Sequence, residues 1–204
     1  MPFELLTERR DATLVLTLSD PATRNTLSRQ ACAAGIEVLN NAADDPTLRC
    51  LVLHGGGAHF CAGLESPAVQ AGGPDEEQDL FRSLLDALRA CPLPVIAAME
   101  GTAADAGLVL ALACDLVVAA EDAQCLWSRA PRAPSLARLL PRALAMQMLW
   151  LAEPLAGTRL HALGLANAAV PAGQALPEAL RWSARLAAAP AATIAEAKEW
   201  LQRS

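Results

Sequence analysis

Short apolar runs that end at Gly, Pro, Asn or Asp residues predict several β-strands. Ala12–Leu18 alternates apolar and Thr positions, which is typical of a half-buried strand. Val95–Met99 is continuously apolar between Pro94 and Gly101, which predicts a fully buried strand. The remaining predicted strands are Arg49–His54, Asp115–Ala119 and a brief segment at Ala168–Val170.

Helical spacing of apolar residues lies between these strands. Ser28 is a candidate N-cap for a helix whose apolar positions recur until Asp44, and Asp75–Cys91 has the same period. Helical patterns return near the end of a segment after Ala123, again after Gly157, and finally from Leu176 onwards. Strand and helix units that recur at roughly 45-residue intervals predict a solenoid or a parallel α/β sheet. Because no linker interrupts them, we expect one domain over residues 1–204.

Composition narrows the classes of partner. With 204 residues and 53% hydrophobic content, the chain can bury a sizeable core. A net charge of -6 without a dense Lys/Arg run argues against nucleic-acid binding. No apolar run reaches the roughly 18 residues that span a bilayer, and charges occur early in the chain, so we expect no membrane contact and a cytoplasmic protein.

The cysteines and histidines do not have the spacing of a metal site. The six cysteines form no CxxC pair and lie mostly in apolar runs, which predicts reduced, buried thiols. The three histidines, His54, His59 and His161, have no HxxxH or HxH spacing. We therefore expect no metal.

The segment Pro92–Asp115 joins a buried strand, a loop of small residues and an apolar helix. The first amides of a helix have no partner within it, and together with the helix dipole they stabilise negative charge on an oxygen. An enolate or a tetrahedral intermediate of a thioester carries such a charge.

Several blocks in order resemble the crotonase superfamily, also called the enoyl-CoA hydratase and isomerase family. They are LTLSDPATRNTLS, LRCLVLHGGGAHFCAG, PLPVIAAMEG, ACDLVVAAEDAQ, LAEPLAGTRLHALGLANAAVP and AAPAATIAEAKEWL. The resemblance implies an α/β fold, a crotonase-like spiral of strand-strand-helix units that binds acyl-CoA, usually in trimers or pairs of trimers. The helices that follow the late Lys in the family, a C-terminal cap, would be largely missing.

The resemblance also assigns residues to roles. It implies that the backbone amides of Ala62 and Ala106 are the two oxyanion donors. The substrate-binding residues that it implies, beside those two, are Ala22, Thr23, Arg24, Leu64, Val109 and Arg129. Among these, Arg24 could pair with a CoA phosphate or be a solvated turn residue. Coenzyme A would enter as part of the substrate, so we expect no separate cofactor.

Two positions depart from the pattern of a hydratase. Val109 and Arg129 stand where the resemblance implies the two catalytic Glu residues, and neither can exchange a proton near neutral pH. Asp105 could replace them as an acid or base, or could instead cap the following helix. Glu65 and Asp115 fit structural roles better than catalytic ones, and Trp127 and Trp150 fit the core or an interface better than a substrate platform. His59 could approach an acyl group, whereas His161 lies on a late helix away from the site.

These features leave more than one function open. We expect a protein that binds an acyl-CoA-type or acyl-carrier thioester in an oxyanion hole without ordinary hydratase activity. It could be a non-catalytic partner subunit or an acyl-thioester-binding pseudoenzyme. It could also be a decarboxylase, an isomerase or a thioester hydrolase with a substitute acid or base. A homo-oligomer based on trimers, or a hetero-oligomer with a homologue, is expected.

Overall fold

The structure is a computed structural model that describes residues 4–65, 76–127 and 139–203. The strands are β1 (Glu4–Arg10), β2 (Thr13–Ser19), β3 (Cys50–Gly55), β4 (His59–Cys61), β5 (Val95–Met99), β6 (Thr102–Ala104), β7 (Leu116–Ala120), β8 (Gln124–Leu126), β9 (Leu155–Ala156) and β10 (Ala168–Val170). The helices are α1 (Arg29–Asp44), α2 (Glu76–Ala90), α3 (Ala106–Ala113), α4 (Arg142–Leu151), α5 (Gly157–Ala162), α6 (Ala175–Ala187) and α7 (Ala191–Arg203).

The strands form two sheets. The larger one has the order β1, β2, β3, β5, β7, β10, and only β1 is antiparallel to its neighbour. The smaller one has the order β4, β6, β8, β9, with β9 antiparallel. The chain passes from the large sheet to the small sheet and then to a helix in β3, β4 and α2, and does so again in β5, β6 and α3. This path confirms the α/β class and the spiral of strand-strand-helix units.

The longer predicted elements are confirmed to within one or two residues. The N-cap of α1 is Ser28, whose hydroxyl accepts the Ala31 amide at 3.1 Å. Sequence patterns missed β1, whose residues are nearly all exposed and so leave no apolar alternation. They also missed the strands β4, β6, β8 and β9, which have two or three residues and depend on their sheet partners. The final helical region is two helices, α6 and α7, separated at Pro190, which cannot continue a helix.

The large sheet is covered on both faces. Successive residues of a strand point to opposite sides, so Leu51 and Leu53 of β3 enter the main core, while Cys50 and Val52 enter a second cluster beneath α6. This double burial explains why β3 and β5 are continuously apolar in the sequence.

Lys198 of α7 connects the last helix to the beginnings of two central strands. Its Nζ donates to the Asp115 carboxylate at 2.8 Å and to the carbonyls of Leu88 and Leu93 at 3.2 Å each. Asp115 also accepts the amide of Val95, the first residue of β5, at 2.7 Å. The predicted structural role of Asp115 is confirmed by these contacts.

The fully buried side chain of Asn25 joins the turn after β2 to the loop before β4. Its Oδ1 accepts the Asp20 amide at 2.8 Å, and its Nδ2 donates to the carbonyls of His59 at 2.7 Å and Gly56 at 3.0 Å. The backbone at Asn25 is left-handed, with φ 59°, a conformation that Asn tolerates better than most residues. These bonds hold two loops of distant sequence in one position.

No helix in the described ranges is both long enough and apolar enough to cross a membrane. The single domain over residues 1–204 and the missing C-terminal cap stay predictions.

We predict that Asn25→Ala lowers the free energy of unfolding by about 2–4 kcal/mol, because buried carbonyl and amide groups lose their partner. Asn41→Ala, at an exposed position of α1, should leave it within about 0.5 kcal/mol of the wild type. Urea denaturation of both variants tests this. Equal stability of the two variants would contradict the role assigned to Asn25.

We also predict that none of the six cysteines reacts with an aromatic disulfide reagent in the native protein. None of the six forms a disulfide and all are buried, as predicted, and burial raises the pKa of Cys50, Cys61 and Cys125 to about 12 and that of Cys114 further. Their thiols are therefore protonated at neutral pH, and only the thiolate is the nucleophile. Six thiols should react after denaturation in guanidinium, whereas rapid modification before denaturation would disprove the burial.

Candidate functional site

Two backbone segments approach each other closely where β4 and β6 end. A Cβ atom placed on Gly63 would stand 3.3 Å from the Ala104 carbonyl oxygen and 3.6 Å from the Ala106 nitrogen. One placed on Gly107 would stand 2.2 Å from the Cys61 carbonyl oxygen, which no real side chain tolerates. The loop from Cys61 to Leu64 and the turn from Ala104 to Gly107 therefore lie backbone against backbone.

The amide of Ala62, predicted as an oxyanion donor, has a different role in the structure. It donates to the carbonyl oxygen of Arg24 at 3.0 Å. A donor already bonded to a carbonyl is not free to bind a ligand oxygen without breaking that bond. The bond fastens the turn that carries Arg24 to the loop before Leu64.

The amide of Leu64 points away from this turn. Leu64 forms a parallel bridge with Leu27, in which the Leu27 amide donates to Gly63 at 2.7 Å and the Glu65 amide donates to Leu27 at 3.0 Å. In a parallel bridge the flanking residues make both bonds, so the amide of the central residue faces the opposite side. For Leu64 that side is the one away from Leu27, and no hydrogen bond from its amide occurs within the described part of the chain.

The amide of Ala106 is at the N-terminus of α3. The first helical bond that reaches back is donated by Val109 to the Asp105 carbonyl at 3.1 Å, so the earlier amides have no acceptor inside the helix. Ala106 is nonetheless 91% buried, which limits the access of water to its amide. The structure thus places two amides without an acceptor in the described part of the chain, those of Leu64 and Ala106, on adjacent segments.

Asp105 occupies the N-cap position of α3 but makes no capping bond with its side chain. The prediction that its side chain caps the helix is therefore wrong. Its backbone has φ 48° and ψ -115°, a conformation that costs a residue with a Cβ about 1–3 kcal/mol. Its side chain begins beside the other segment, since a Cβ placed on Gly63 would stand 3.5 Å from the Cβ of Asp105. Asp105 is thus half-buried at the point where the helix end meets the other segment.

The segment predicted to contact CoA lies on the rim of this site. Ala22 and Arg24 are exposed and Thr23 is half-buried. Arg24 has a left-handed backbone, with φ 61°, and its carbonyl is the acceptor for Ala62. Sequence reasoning missed Asn25, which holds this turn in place; its signal was an Asn directly after the turn.

The structure describes one of the two positions where the resemblance implies a catalytic Glu. Val109 is 1% exposed and packs in the main core one turn into α3. It presents only an apolar side chain, so it contributes neither an acid nor a base. Arg129 lies outside the described residues.

The remaining candidates add little chemistry to the site. Cys61 is buried there, and burial raises its pKa to about 12, so its thiol is not a nucleophile at neutral pH. The Nδ1 of His59 is buried without a hydrogen-bond partner in the described ranges. Glu65 is exposed. His161, on α5, forms a hydrogen bond with the Ala166 carbonyl and lies away from the site.

Trp127 is buried, as predicted. Trp150 is 66% exposed, so it is not a core residue. Among the described residues, no group of three or more His, Cys, Asp or Glu side chains could hold a metal ion.

Comparisons with known proteins identify the family. The family model for enoyl-CoA hydratase/isomerase matches residues 8–204. An enoyl-CoA hydratase of Mycobacterium tuberculosis is 34% identical over 191 residues, which are 87% of this chain and 72% of that protein. A 1,2-epoxyphenylacetyl-CoA isomerase of Escherichia coli is 32% identical, over 79% of this chain and 67% of that protein. The crystal structure of an enoyl-CoA hydratase from Polaromonas sp. matches with a TM-score of 0.88 and 42% identity, over 97% of this chain and 82% of that one. The chain belongs to the enoyl-CoA hydratase/isomerase family, within the crotonase superfamily.

Proposed function

We propose that this protein binds an acyl-CoA-type thioester and stabilises negative charge on its carbonyl oxygen. The pair of amides of Leu64 and Ala106, neither of which has an acceptor in the described part of the chain, carries the proposal. Both lie on close-packed backbone segments. Preorganised amides in a partly dry site stabilise a developing oxyanion more strongly than water does.

Arg24 supports a CoA ester as the ligand. Its guanidinium is exposed at the rim, on a turn that two hydrogen-bonded contacts, through Ala62 and Asn25, hold against the loop of Leu64. A planar guanidinium binds phosphate in a bidentate manner, through two parallel N–H···O hydrogen bonds. CoA has a thioester at one end and phosphates at the other, so one ligand can reach both groups.

Ordinary hydration of an enoyl thioester does not fit this site. Water addition needs one group to deprotonate water and another to protonate the α-carbon. The buried apolar Val109 stands where the resemblance implies the first of the two Glu residues. This observation favours a second candidate function, a subunit or pseudoenzyme that binds the thioester without turning it over.

Asp105 favours chemistry rather than binding alone. It directly precedes Ala106, it is half-buried where Glu65 beside Leu64 is exposed, and it is held in a costly backbone conformation. Decarboxylation or isomerisation requires an enolate to be stabilised, and the two amides supply that stabilisation. Asp105 would then serve as the substitute acid or base.

Self-association is part of the proposal. Trp150 and Leu151 of α4, and Trp200 and Leu201 of α7, are 58–69% exposed. Large apolar side chains at this exposure are typical of surfaces that meet another chain. A trimer-based oligomer, or assembly with a homologue, would cover them.

We predict that acetyl-CoA binds about tenfold more tightly than S-ethyl-CoA, in which a methylene replaces the carbonyl group. The thioether leaves both amides without an acceptor, at a cost of about 1–2 kcal/mol. Isothermal titration calorimetry measures the two dissociation constants, with free CoA as a further control. Equal affinities would contradict an oxyanion hole.

We predict that Arg24→Ala weakens acetyl-CoA, S-ethyl-CoA and CoA alike, by about threefold to tenfold, because all three carry the same phosphates. The ratio between acetyl-CoA and S-ethyl-CoA should not change, since the amides remain. Arg142→Ala, which removes an equally exposed cation at the start of α4, is the matched control and should bind as the wild type does. Unchanged affinity in Arg24→Ala would exclude the phosphate contact.

A further inference from the structure

The turn at Asp105 has the construction of a nucleophile elbow. The chain leaves β6 at Ala104, turns at Asp105 with φ 48° and ψ -115°, and enters α3 at Ala106. Such a strand-to-helix turn exposes one side chain at its apex, at the expense of backbone strain. Two residues after Asp105 stands Gly107, where any Cβ would overlap the Cys61 carbonyl.

Both sides of the turn hold its backbone. The Asp105 amide donates to the carbonyl of Leu126 in β8 at 3.0 Å, and the Asp105 carbonyl accepts from Val109 at 3.1 Å. Two such bonds fix the residue in a conformation that glycine would adopt at no cost. Strain that the surroundings impose in this way is typical of functional positions.

The two proposed oxyanion donors come from the same positions as in a nucleophile elbow. In that construction, one donor is the amide of the residue after the nucleophile, and the other comes from a separate loop. Here the residue after Asp105 is Ala106, and the separate loop contributes Leu64. The Cβ of Asp105 stands 3.5 Å from a Cβ placed on Gly63, so its side chain starts next to both donor segments.

We propose that Asp105 is a nucleophile toward the thioester carbonyl and that the protein hydrolyses acyl-CoA; this rests on the proposed thioester site. A carboxylate oxygen of Asp105 attacks the carbonyl carbon, and the electron pair moves to the oxygen held by the two amides. When the carbonyl re-forms, the carbon–sulfur bond breaks and CoA leaves as the thiolate, which takes a proton from water.

The acyl group is then joined to Asp105 as a mixed anhydride. Water attacks the acyl carbonyl, the same amides hold the oxygen, and the bond to Asp105 breaks to restore the carboxylate. The sum is a thioester and water converted to a carboxylic acid and a thiol. Because a carboxylate leaves more readily than a thiolate, the first step reverses easily, and the anhydride should be detected by capture rather than by accumulation.

The first experiment compares CoA release from acetyl-CoA, crotonyl-CoA and malonyl-CoA by liquid chromatography. Wild type should release CoA from at least one of them, and Asp105→Asn should be slower by about 100-fold or more. Asp122→Asn removes a carboxylate from an exposed turn and should match the wild type. Equal rates in wild type and Asp105→Asn would overturn the proposal.

The second experiment separates a nucleophile from a general base. Hydroxylamine present during turnover attacks the aspartyl carbonyl of the anhydride and leaves a hydroxamate on Asp105, which peptide mass spectrometry locates. Attack at the acyl carbonyl instead gives a free acyl hydroxamate and restores the carboxylate, so this product is measured too, against a blank without protein. A general base forms no anhydride, so turnover that yields neither hydroxamate would exclude the nucleophilic role.

A third variant tests the strain. Asp105→Gly should raise the melting temperature by about 2–10 °C, because glycine relieves the backbone, while CoA release is lost. A melting temperature lowered by this substitution would show that Asp105 is there for stability and would overturn the elbow.

Calorimetry distinguishes failure of this proposal from failure of the site. Acetyl-CoA that binds to wild type without release of CoA from any of the three thioesters would overturn the role of Asp105 and leave the proposed binding site standing. No binding of acetyl-CoA would overturn both.

Discussion

The close approach of two backbone segments is the constraint on which the candidate site depends. Gly63 and Gly107 let the loop after β4 and the N-terminus of α3 come together without side chains between them. Hydrogen bonds to Arg24 and Leu27 hold the loop in place, and the amide of Leu64, on the side away from Leu27, has no acceptor in the described part of the chain. The two donors are therefore a product of packing, and no side chain has to be ordered to create them.

Positioning and chemistry are separate properties of this site. The amides are backbone groups, which any sequence compatible with the fold retains, whereas the acid or base is a side chain that a single substitution removes. Val109 shows the second case, since an apolar residue fills the position without disturbing α3. Asp105 shows that an acid can also be placed where the backbone conformation favours glycine, provided that neighbouring strands hold it there.

Much of the fold could be predicted from the sequence, but less of the site could. Long apolar periods located β2, β3, β5, α1 and α2, because burial on both faces of a sheet and helical spacing leave strong patterns. The short strands β4, β6 and β8 leave no such pattern, since their pairing is decided by neighbours far along the chain. The same limit applies to the donors. The family resemblance pointed to Ala62, and only the bond from its amide to Arg24 shows that it is engaged elsewhere.

Lys198 and Asp115 join the last helix to the beginnings of β5 and β7, whereas the two amides lie where β4 and β6 end. The ion pair that holds the last helix and the backbone groups of the candidate site thus belong to different parts of the fold. Substitutions in the last helix can accumulate and change how firmly the sheet is held without moving the groups that meet a substrate. Such a division leaves the two properties free to evolve at different rates.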